Sequence, residues 1–274
     1  MKKLKCSRLF AMVLVITIIA TVLLPLNHTI VAQAATVKIS DKNLLLEVGK
    51  SKTLKITGTK EKVTWTSSKK SVATVDKKGK VTTKKAGTTT ITATVNKKKY
   101  TCEVTTFKAQ KITTGEVNYV IPNDWTSSVM AEQGNNTITV FYPSKADMTK
   151  AFSNINLLIA KTGTAKPDDK TAKDYFNSVA SEELISQQLS GISGAETKLS
   201  NYKTGKYNSK LGTANKVSFN FVLNGIDVKQ ITHIFYADNY LFQITVTDLG
   251  DNNTTLDLNT LSEYIIDSVK ISEE

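Results

Sequence analysis

Apolar and polar residues alternate strictly along much of residues 63–95, and short turn motifs interrupt the alternation. In TTTITATV, Ile91, Ala93 and Val95 lie at every second position and threonines occupy the positions between them. The turns DKKG and KKAG separate such segments at the spacing of about 8–12 residues that is typical of antiparallel sandwiches. This pattern predicts an all-β domain with one apolar face per strand, and it argues against a disordered basic tail.

Four short motifs in this region resemble the recurring pattern of the bacterial Ig-like domain, group 2. They are Trp65 with Ser67, Val72-Ala73 with Val75, Gly79 with Val81, and Ala86-Gly87 with Ile91. The resemblance covers residues 36–106 and implies a compact immunoglobulin-type sandwich, common in bacterial and phage surface proteins and adhesins. It implies a spacer or binding module and supplies no catalytic residues. We interpret Trp65 as a core tryptophan rather than a sugar-stacking platform.

The remaining residues predict a different architecture, after a polar linker at Phe107–Thr114. The predicted elements are strands at Val117–Ile121, Ser128–Glu132, Thr137–Tyr142 and Asn154–Ile159, a helix from Thr171 to a stop at Gly191, a three-stranded meander over Asn215–Thr247, and a helix at Asp257–Ser268. Thr171 and Asp174 are predicted to form the helix cap. Asn224-Gly225 is a strong hairpin signal. The chain is therefore predicted to be multidomain, an Ig-like sandwich followed by an α+β domain in which helices pack on an antiparallel sheet.

The second domain, residues 115–274, resembles the PsbP-like fold. The motifs that carry the resemblance are YVIPNDW at Tyr119–Trp125, ITVFYP ending at Pro143, NINLLI, NYLFQITVTD and the closing IIDSVKI. Members of this family look like docking modules without a shared active site. The resemblance therefore implies binding to an envelope protein rather than catalysis.

The first 35 residues have the pattern of a secretory signal peptide. Four basic residues precede an apolar run from Leu9 to Leu26, and Ala32-Gln33-Ala34 matches a signal-peptidase site. Cleavage is predicted after Ala34 or Ala35, with a retained N-terminal anchor as the alternative. We therefore expect a secreted, cell-surface or cell-wall protein that contacts a membrane only through an uncleaved signal segment.

Charge differs sharply between the two halves. Residues 35–106 contain 17 lysines and 5 acidic residues, a net charge of +12, whereas residues 107–274 contain 15 lysines and 19 acidic residues, a net charge of −4. Export and the lack of arginine after Arg8 argue against nucleic-acid recognition, which uses the planar guanidinium. We expect the basic domain to bind an anionic wall polymer or another surface glycan. The candidate residues are Lys69, Lys70, Lys77, Lys78, Lys80, Lys84, Lys85, Lys97, Lys98 and Lys99.

Residue types that carry chemistry are sparse, so no enzymatic activity and no cofactor are predicted. Cys102 is expected to be a small buried hydrophobe and His233 a structural histidine. Asp248, Asp251 and Asn252 form a candidate calcium site, although we favour a solvated turn there. The alternatives to a binding protein are an envelope hydrolase with a carboxylate-based site in the second domain, whose carboxylate spacing is not visible in sequence, and a spacer with a docking domain.

Overall fold

The computed structural model describes residues 36–134, 136–196 and 198–272, which form two compact units. The first unit comprises residues 36–124 and 270–272, and the second is Trp125–Val269. The predicted signal peptide, with its cleavage residues Ala34 and Ala35, lies outside the described residues.

The first unit is built from short strands. They are β1 (Lys38–Ile39), β2 (Asn43–Glu47), β3 (Ser51–Thr53), β4 (Ile56–Thr57), β5 (Thr64–Ser67), β6 (Ala73–Val75), β7 (Lys80–Thr83), β8 (Gly87–Val95), β9 (Lys98–Phe107), β10 (Ala109–Thr114) and β11 (Val117–Pro122). A four-stranded sheet has the order β2-β9-β8-β5, a three-stranded sheet has the order β3-β7-β6, and β1 pairs with β4.

The core of this unit lies between the two larger sheets. Strands β2, β8 and β9 contribute Leu44, Leu46, Ile91, Cys102 and Val104 to it, and the facing sheet and its loops contribute Leu54, Ala73 and Val81. These are the apolar positions of the alternating pattern, so the β-sandwich predicted from that pattern is confirmed.

The segment predicted as a linker lies in strands. Strand β9 ends at Phe107, and β10 pairs antiparallel with β11 from Ala109↔Pro122 to Thr114↔Val117. The short final strand of the chain, Lys270–Ile271, adds to the other edge of β11. The segment resembles a linker because most of its side chains are polar, yet the backbone hydrogen bonds of β10 are satisfied by β11, whose apolar positions are buried. The compact units consequently divide after Asp124.

The second unit combines one large sheet with three helices. Its elements are β12 (Trp125–Gln133), β13 (Asn136–Pro143), β14 (Asn154–Lys161), α1 (Asp169–Val179), α2 (Glu182–Ser190), β15 (Ser200–Ser209), β16 (Gly212–Leu223), β17 (Ile226–Ala237), β18 (Tyr240–Asp248) and α3 (Leu258–Ser268), after which the chain returns to the first unit in β19 (Lys270–Ile271). The sheet has the order β12-β13-β14-β18-β17-β16-β15, and every neighbouring pair is antiparallel.

The helix predicted over residues 171–191 is two helices. The Asp168 side chain accepts a hydrogen bond from the Thr171 backbone and caps α1, so the predicted Thr171–Asp174 cap is wrong. Ser181 caps α2 in the same way and interrupts the helical run. The predicted stop at Gly191 is confirmed as the C-cap of α2.

Helices cover both faces of the sheet. Residues of α1 and α2 pack on one face against β16 and β17, through Phe176, Val179, Ile185 and Leu189 on the helices and Val217, Phe219, Phe221, Val228 and Ile234 on the strands. Helix α3 contacts the opposite face, where Lys216 and His233 project because strand side chains alternate. The two-residue turn Asn224-Gly225 joins β16 to β17 as predicted, with both residues at positive φ.

Candidate anionic-polymer surface

The ten candidate lysines are all exposed in the first unit. Lys69 and Lys70 follow β5, Lys84 and Lys85 connect β7 to β8, and the others lie in or beside the tight turns that join β6 to β7 and β8 to β9. Positions in turns and at the ends of strands leave these side chains outside the core, where a flexible ammonium group remains hydrated.

The strand register divides these lysines between two ends of the sandwich. The loop after β5 and the loop after β7 meet, since the Lys84 backbone N–H donates to the Val72 carbonyl at 2.7 Å and the Ser68 N–H donates to the Thr90 carbonyl at 2.9 Å. Strand β7 runs toward this meeting point and β8 runs away from it, so the turns before β7 and after β8 lie toward the other end. We call the two groups the four-lysine end (Lys69, Lys70, Lys84, Lys85) and the six-lysine end (Lys77, Lys78, Lys80, Lys97, Lys98, Lys99).

Within the described part of the chain, no carboxylate forms an ion pair with a lysine of either group. Across residues 36–134, 136–196 and 198–272, the ion pairs involve other lysines. Asp76 lies at the six-lysine end, where its side chain accepts the backbone N–H groups of Lys80 at 2.9 Å and Lys78 at 2.8 Å. The bond from Lys80 is the largest cause that lowers the pKa of this carboxyl. Asp76 therefore organises the turn, and its charge interacts with Lys78 and Lys80 without an ion-pair contact.

Trp65 and Cys102 both contact the core of the first unit, Trp65 as a half-buried side chain and Cys102 as a buried one. Trp65 packs against the inner cluster, as predicted, and Cys102 is completely buried. Burial raises the pKa of the Cys102 thiol to about 12, so the reactive thiolate is not populated at neutral pH.

The acidic candidates of the second unit serve as caps of turns and helices. Asp251 accepts the Ser153 N–H at 2.6 Å and the Asn253 N–H at 3.2 Å, and Asp248 accepts the Gly250 N–H at 3.0 Å. These bonds fix the loop that follows β18, which also contains Asn252. Among the described residues, no three His, Cys, Asp or Glu side chains converge in a way that suits a metal ion. The hydrogen bond from Thr171 lowers the pKa of Asp168 at the start of α1.

A cluster of ionisable side chains that sequence reasoning missed lies between the sheet and α3. Lys216 Nζ lies 3.1 Å from Glu263 Oε1, and the same oxygen lies 3.8 Å from His233 Nε2. Lys216 also donates to Asn259, one turn before Glu263 on α3. Burial lowers the pKa of His233, and the charge of Lys216 acts in the same direction. Burial opposes ionisation of Glu263, but the neighbouring His233 and Lys216 side chains outweigh that effect and lower the pKa of the carboxyl.

This cluster contains the residue types of an acyl-transfer triad without the access that catalysis needs. Ser262 Oγ lies 3.5 Å from His233 Nδ1, and its hydroxyl donates to the Asn259 carbonyl at 2.7 Å. Both Ser262 and His233 have 0% of their surface exposed. A nucleophile must reach its substrate, so the arrangement is a buried polar contact between helix and sheet.

The register of the β16–β17 hairpin predicts that Lys216 and His233 of this cluster lie side by side. With Asn224 and Gly225 as the two loop residues, pairing outward from Leu223↔Ile226 brings Lys216 opposite His233. The position of Glu263 depends on how α3 packs on the sheet, which no local pattern specifies.

No helix in the described part of the chain is long and apolar enough to cross a membrane.

Comparisons with solved structures give weak likenesses. A protein from Bacteroides thetaiotaomicron VPI-5482 matches with a TM-score of 0.29 and 14% identity, over 58% of this chain and 46% of that one. Domains 5–6 of the S-layer protein SbsC match with a TM-score of 0.25 and 15% identity, over 78% of this chain and 97% of that one. LpqN, involved in cell envelope biogenesis of Mycobacterium tuberculosis, matches with a TM-score of 0.29 and 14% identity, over 61% of this chain and 91% of that one. TM-scores of this size carry no argument about fold or function.

Comparison with curated proteins gives no match. The family comparison is more specific: residues 33–105 match the bacterial Ig-like domain (group 2), which confirms the family predicted for residues 36–106.

Proposed function

We propose that this chain is an exported, non-catalytic cell-envelope protein whose Ig-like unit binds anionic wall polymer. The observation that carries the proposal is the exposure of all ten candidate lysines, gathered at two ends of one sandwich and free of ion pairs within the described ranges. Lysines grouped in this way create a positive potential of several kT.

The contact with polymer would be diffuse. Lysine is a compact, hydrated point charge and lacks the planar fork with which arginine binds phosphate in a fixed geometry. Screening shortens the Debye length from about 10 Å at 0.1 M salt to about 3 Å at 1 M, so binding should disappear at high salt.

Sedimentation with purified cell walls tests the proposal. The bound fraction of the full chain should fall steeply as salt rises, and it should also fall when teichoic acid has been stripped from the walls. Binding that persists at 1 M salt, or that is indifferent to stripping, would falsify the electrostatic mechanism. An absence of binding at low salt would leave the Ig-like unit as a spacer.

Matched variants separate specific placement from net charge. One variant changes the four-lysine end to glutamine (Lys69, Lys70, Lys84, Lys85), and its control changes four exposed lysines of the second unit (Lys173, Lys203, Lys206, Lys229). Both lose the same formal charge. The proposal expects the first variant to bind more weakly and the control to bind like the parent chain.

We infer in addition that the second unit has a PsbP-like fold and docks on an envelope protein. Its seven-stranded antiparallel sheet with helices on both faces supports this assignment. Pull-down from the envelope fraction with residues 125–269 deleted tests it, because a docking role requires that deletion remove a partner that the full chain retains.

A further inference from the structure

A small cavity opens on the face of the second unit's sheet that α1 and α2 partly cover. Its volume is about 80 Å³. Phe221 and Val228 are direct partners across β16 and β17 and form one wall, and Phe152 and Leu249 line it from the loops beside β14 and β18. Ile226, which is 40% exposed, lies at the rim beside the Asn224-Gly225 turn. The cavity is therefore an apolar space with an opening to solvent.

One buried hydroxyl interrupts the apolar lining. Thr247 belongs to β18, is 6% exposed, and pairs in register with Gln230 on β17 and Asn154 on β14. None of the residues that the structure describes forms a hydrogen bond with its Oγ1. A buried hydroxyl without a partner has lost its hydrogen bonds to water and gained none in return, so this atom favours an occupant that can form a hydrogen bond with it.

The lining also restricts the charge and polarity of an occupant. Among the described residues, no charged side chain lines the cavity, and its other polar side chain, Asn224, is exposed at the rim. A stable internal water needs about two to four polar partners, which this lining does not supply at its inner end. A charged ligand would lose hydration there without compensation.

Size restricts the occupant further. One water molecule needs about 10–15 Å³ of cavity space, so the cavity has room for roughly five to eight water-sized groups. A six-membered ring with one substituent has about this number of heavy atoms.

We propose that this cavity is a binding site for a small neutral ring or branched alkyl group that carries one hydroxyl, of which phenol is the simplest representative. The hydroxyl bonds to Thr247 Oγ1, and the ring lies against Phe221, Val228 and Leu249. The site is independent of the lysines that carry the polymer-binding proposal, so either proposal can fail without the other.

The test compares three probes of similar size on the full chain by ligand-observed NMR titration. Phenol should bind, and toluene, in which a methyl group replaces the hydroxyl, should bind about five- to tenfold more weakly because one hydrogen bond is lost. Benzoate should not bind measurably. Failure of phenol to bind, or equal binding of phenol and benzoate, would overturn the proposal.

Three variants locate the site. Thr247→Val should abolish the preference for phenol over toluene while toluene still binds. Ala151→Phe, at a half-buried lining position, should fill the space and abolish binding of both probes. Thr245→Val is the matched control, because Thr245 points to the same face but bonds to Thr232 and Gln243 and does not line the cavity. Phenol binding that survives both cavity variants would place the probe elsewhere and contradict the assignment.

Discussion

The two units differ in where their polar side chains lie and in whether the buried ones have hydrogen-bond partners. In the first unit, charge lies on the surface, and buried polar side chains are bonded: Thr83 donates to the Glu47 and Lys50 carbonyls, and Thr106 to the Gly87 carbonyl. In the second unit, a histidine and several amides and hydroxyls are buried within the sheet. Among the described residues, buried polar atoms without a hydrogen-bond partner occur in the second unit, including Asn156 Oδ1, Gln230 Oε1 and Thr247 Oγ1.

This difference predicts how the binding and the stability of each unit should depend on salt, pH and small molecules. Exposed lysines interact through solvent, so the binding of the first unit should depend on salt while its stability changes little. Buried ionisable groups couple protonation to folding, and buried unpartnered oxygens leave a place for a ligand. The second unit should therefore respond to pH and to small molecules.

The largest effect is expected from Gly79→Ala, which should destabilise the first unit and leave the stability of the second unit unchanged. Gly79 has φ +83°, and an added Cβ would lie 2.5 Å from the Leu54 carbonyl oxygen and 2.9 Å from the Trp65 ring. Strained backbone together with a backbone clash should lower the free energy of unfolding of the first unit by about 3 kcal/mol. Hydrogen-exchange mass spectrometry reads the two units separately.

Gly115→Ala is the matched control for that change. Gly115 also has positive φ, but no atom lies within 4 Å of its added Cβ, so the cost should be about 1 kcal/mol from backbone conformation. Faster exchange in both units of the Gly79 variant would show that they do not fold independently.

The next effect in size is expected from Glu263→Gln, which should lower the free energy of unfolding of the second unit alone. The change removes the charge that Lys216 and His233 share. Breaking a buried ion pair costs about 3–5 kcal/mol, but Lys216 and Glu263 retain 22% and 24% of their side-chain exposure, so we expect about 2 kcal/mol. Urea denaturation measures the loss, and Glu132→Gln on the exposed strand β12 should change stability by less than about 0.5 kcal/mol. Equal losses in the two variants would contradict a specific role for the cluster.

The sequence was sufficient for β5 to β9 of the first unit because the information there is local, whereas β1 to β4 were not predicted. Alternation, turn glycines and four short motifs located the strands between Thr64 and Phe107 and the buried cysteine. The linker prediction failed at residues 107–114. Most side chains of β10 are polar, so its sequence lacks a strand pattern, and the strand forms because it pairs with β11. Pairing between strands is a tertiary property, and polar composition by itself does not exclude it.

For the second unit, the sequence located elements but not the places where they meet. The hairpin turns specified β16 to β18, whereas β15 was missed because its exposed, lysine-containing sequence lacks an apolar face. The lysines proposed as a binding surface were identifiable because turn positions are exposed. The Lys216–His233–Glu263 cluster and the cavity at Thr247 join residues that are distant in sequence, so their discovery required the packed sheet.

The smallest effect is a response to mild acid that should be confined to the second unit. His233 is the single histidine within the described residues, and burial lowers its pKa below the ordinary value of 6.5. The unfolded chain therefore binds a proton before the folded chain does, so stability is full above pH 6.5 and falls as the pH drops below it. The loss should approach but not exceed about 1.4 kcal/mol per pH unit, the limit for one proton. The lowered pKa of Glu263 adds a second loss only below pH 4.5.

Urea denaturation between pH 7.5 and 5, followed for each unit by hydrogen exchange, should show this slope in the second unit and a flat profile in residues 36–124. His233→Gln should remove the slope above pH 5 while retaining the loss at lower pH. A slope that persists in this variant would assign the acid response to other groups, and an equal slope in the first unit would contradict the difference between the two units.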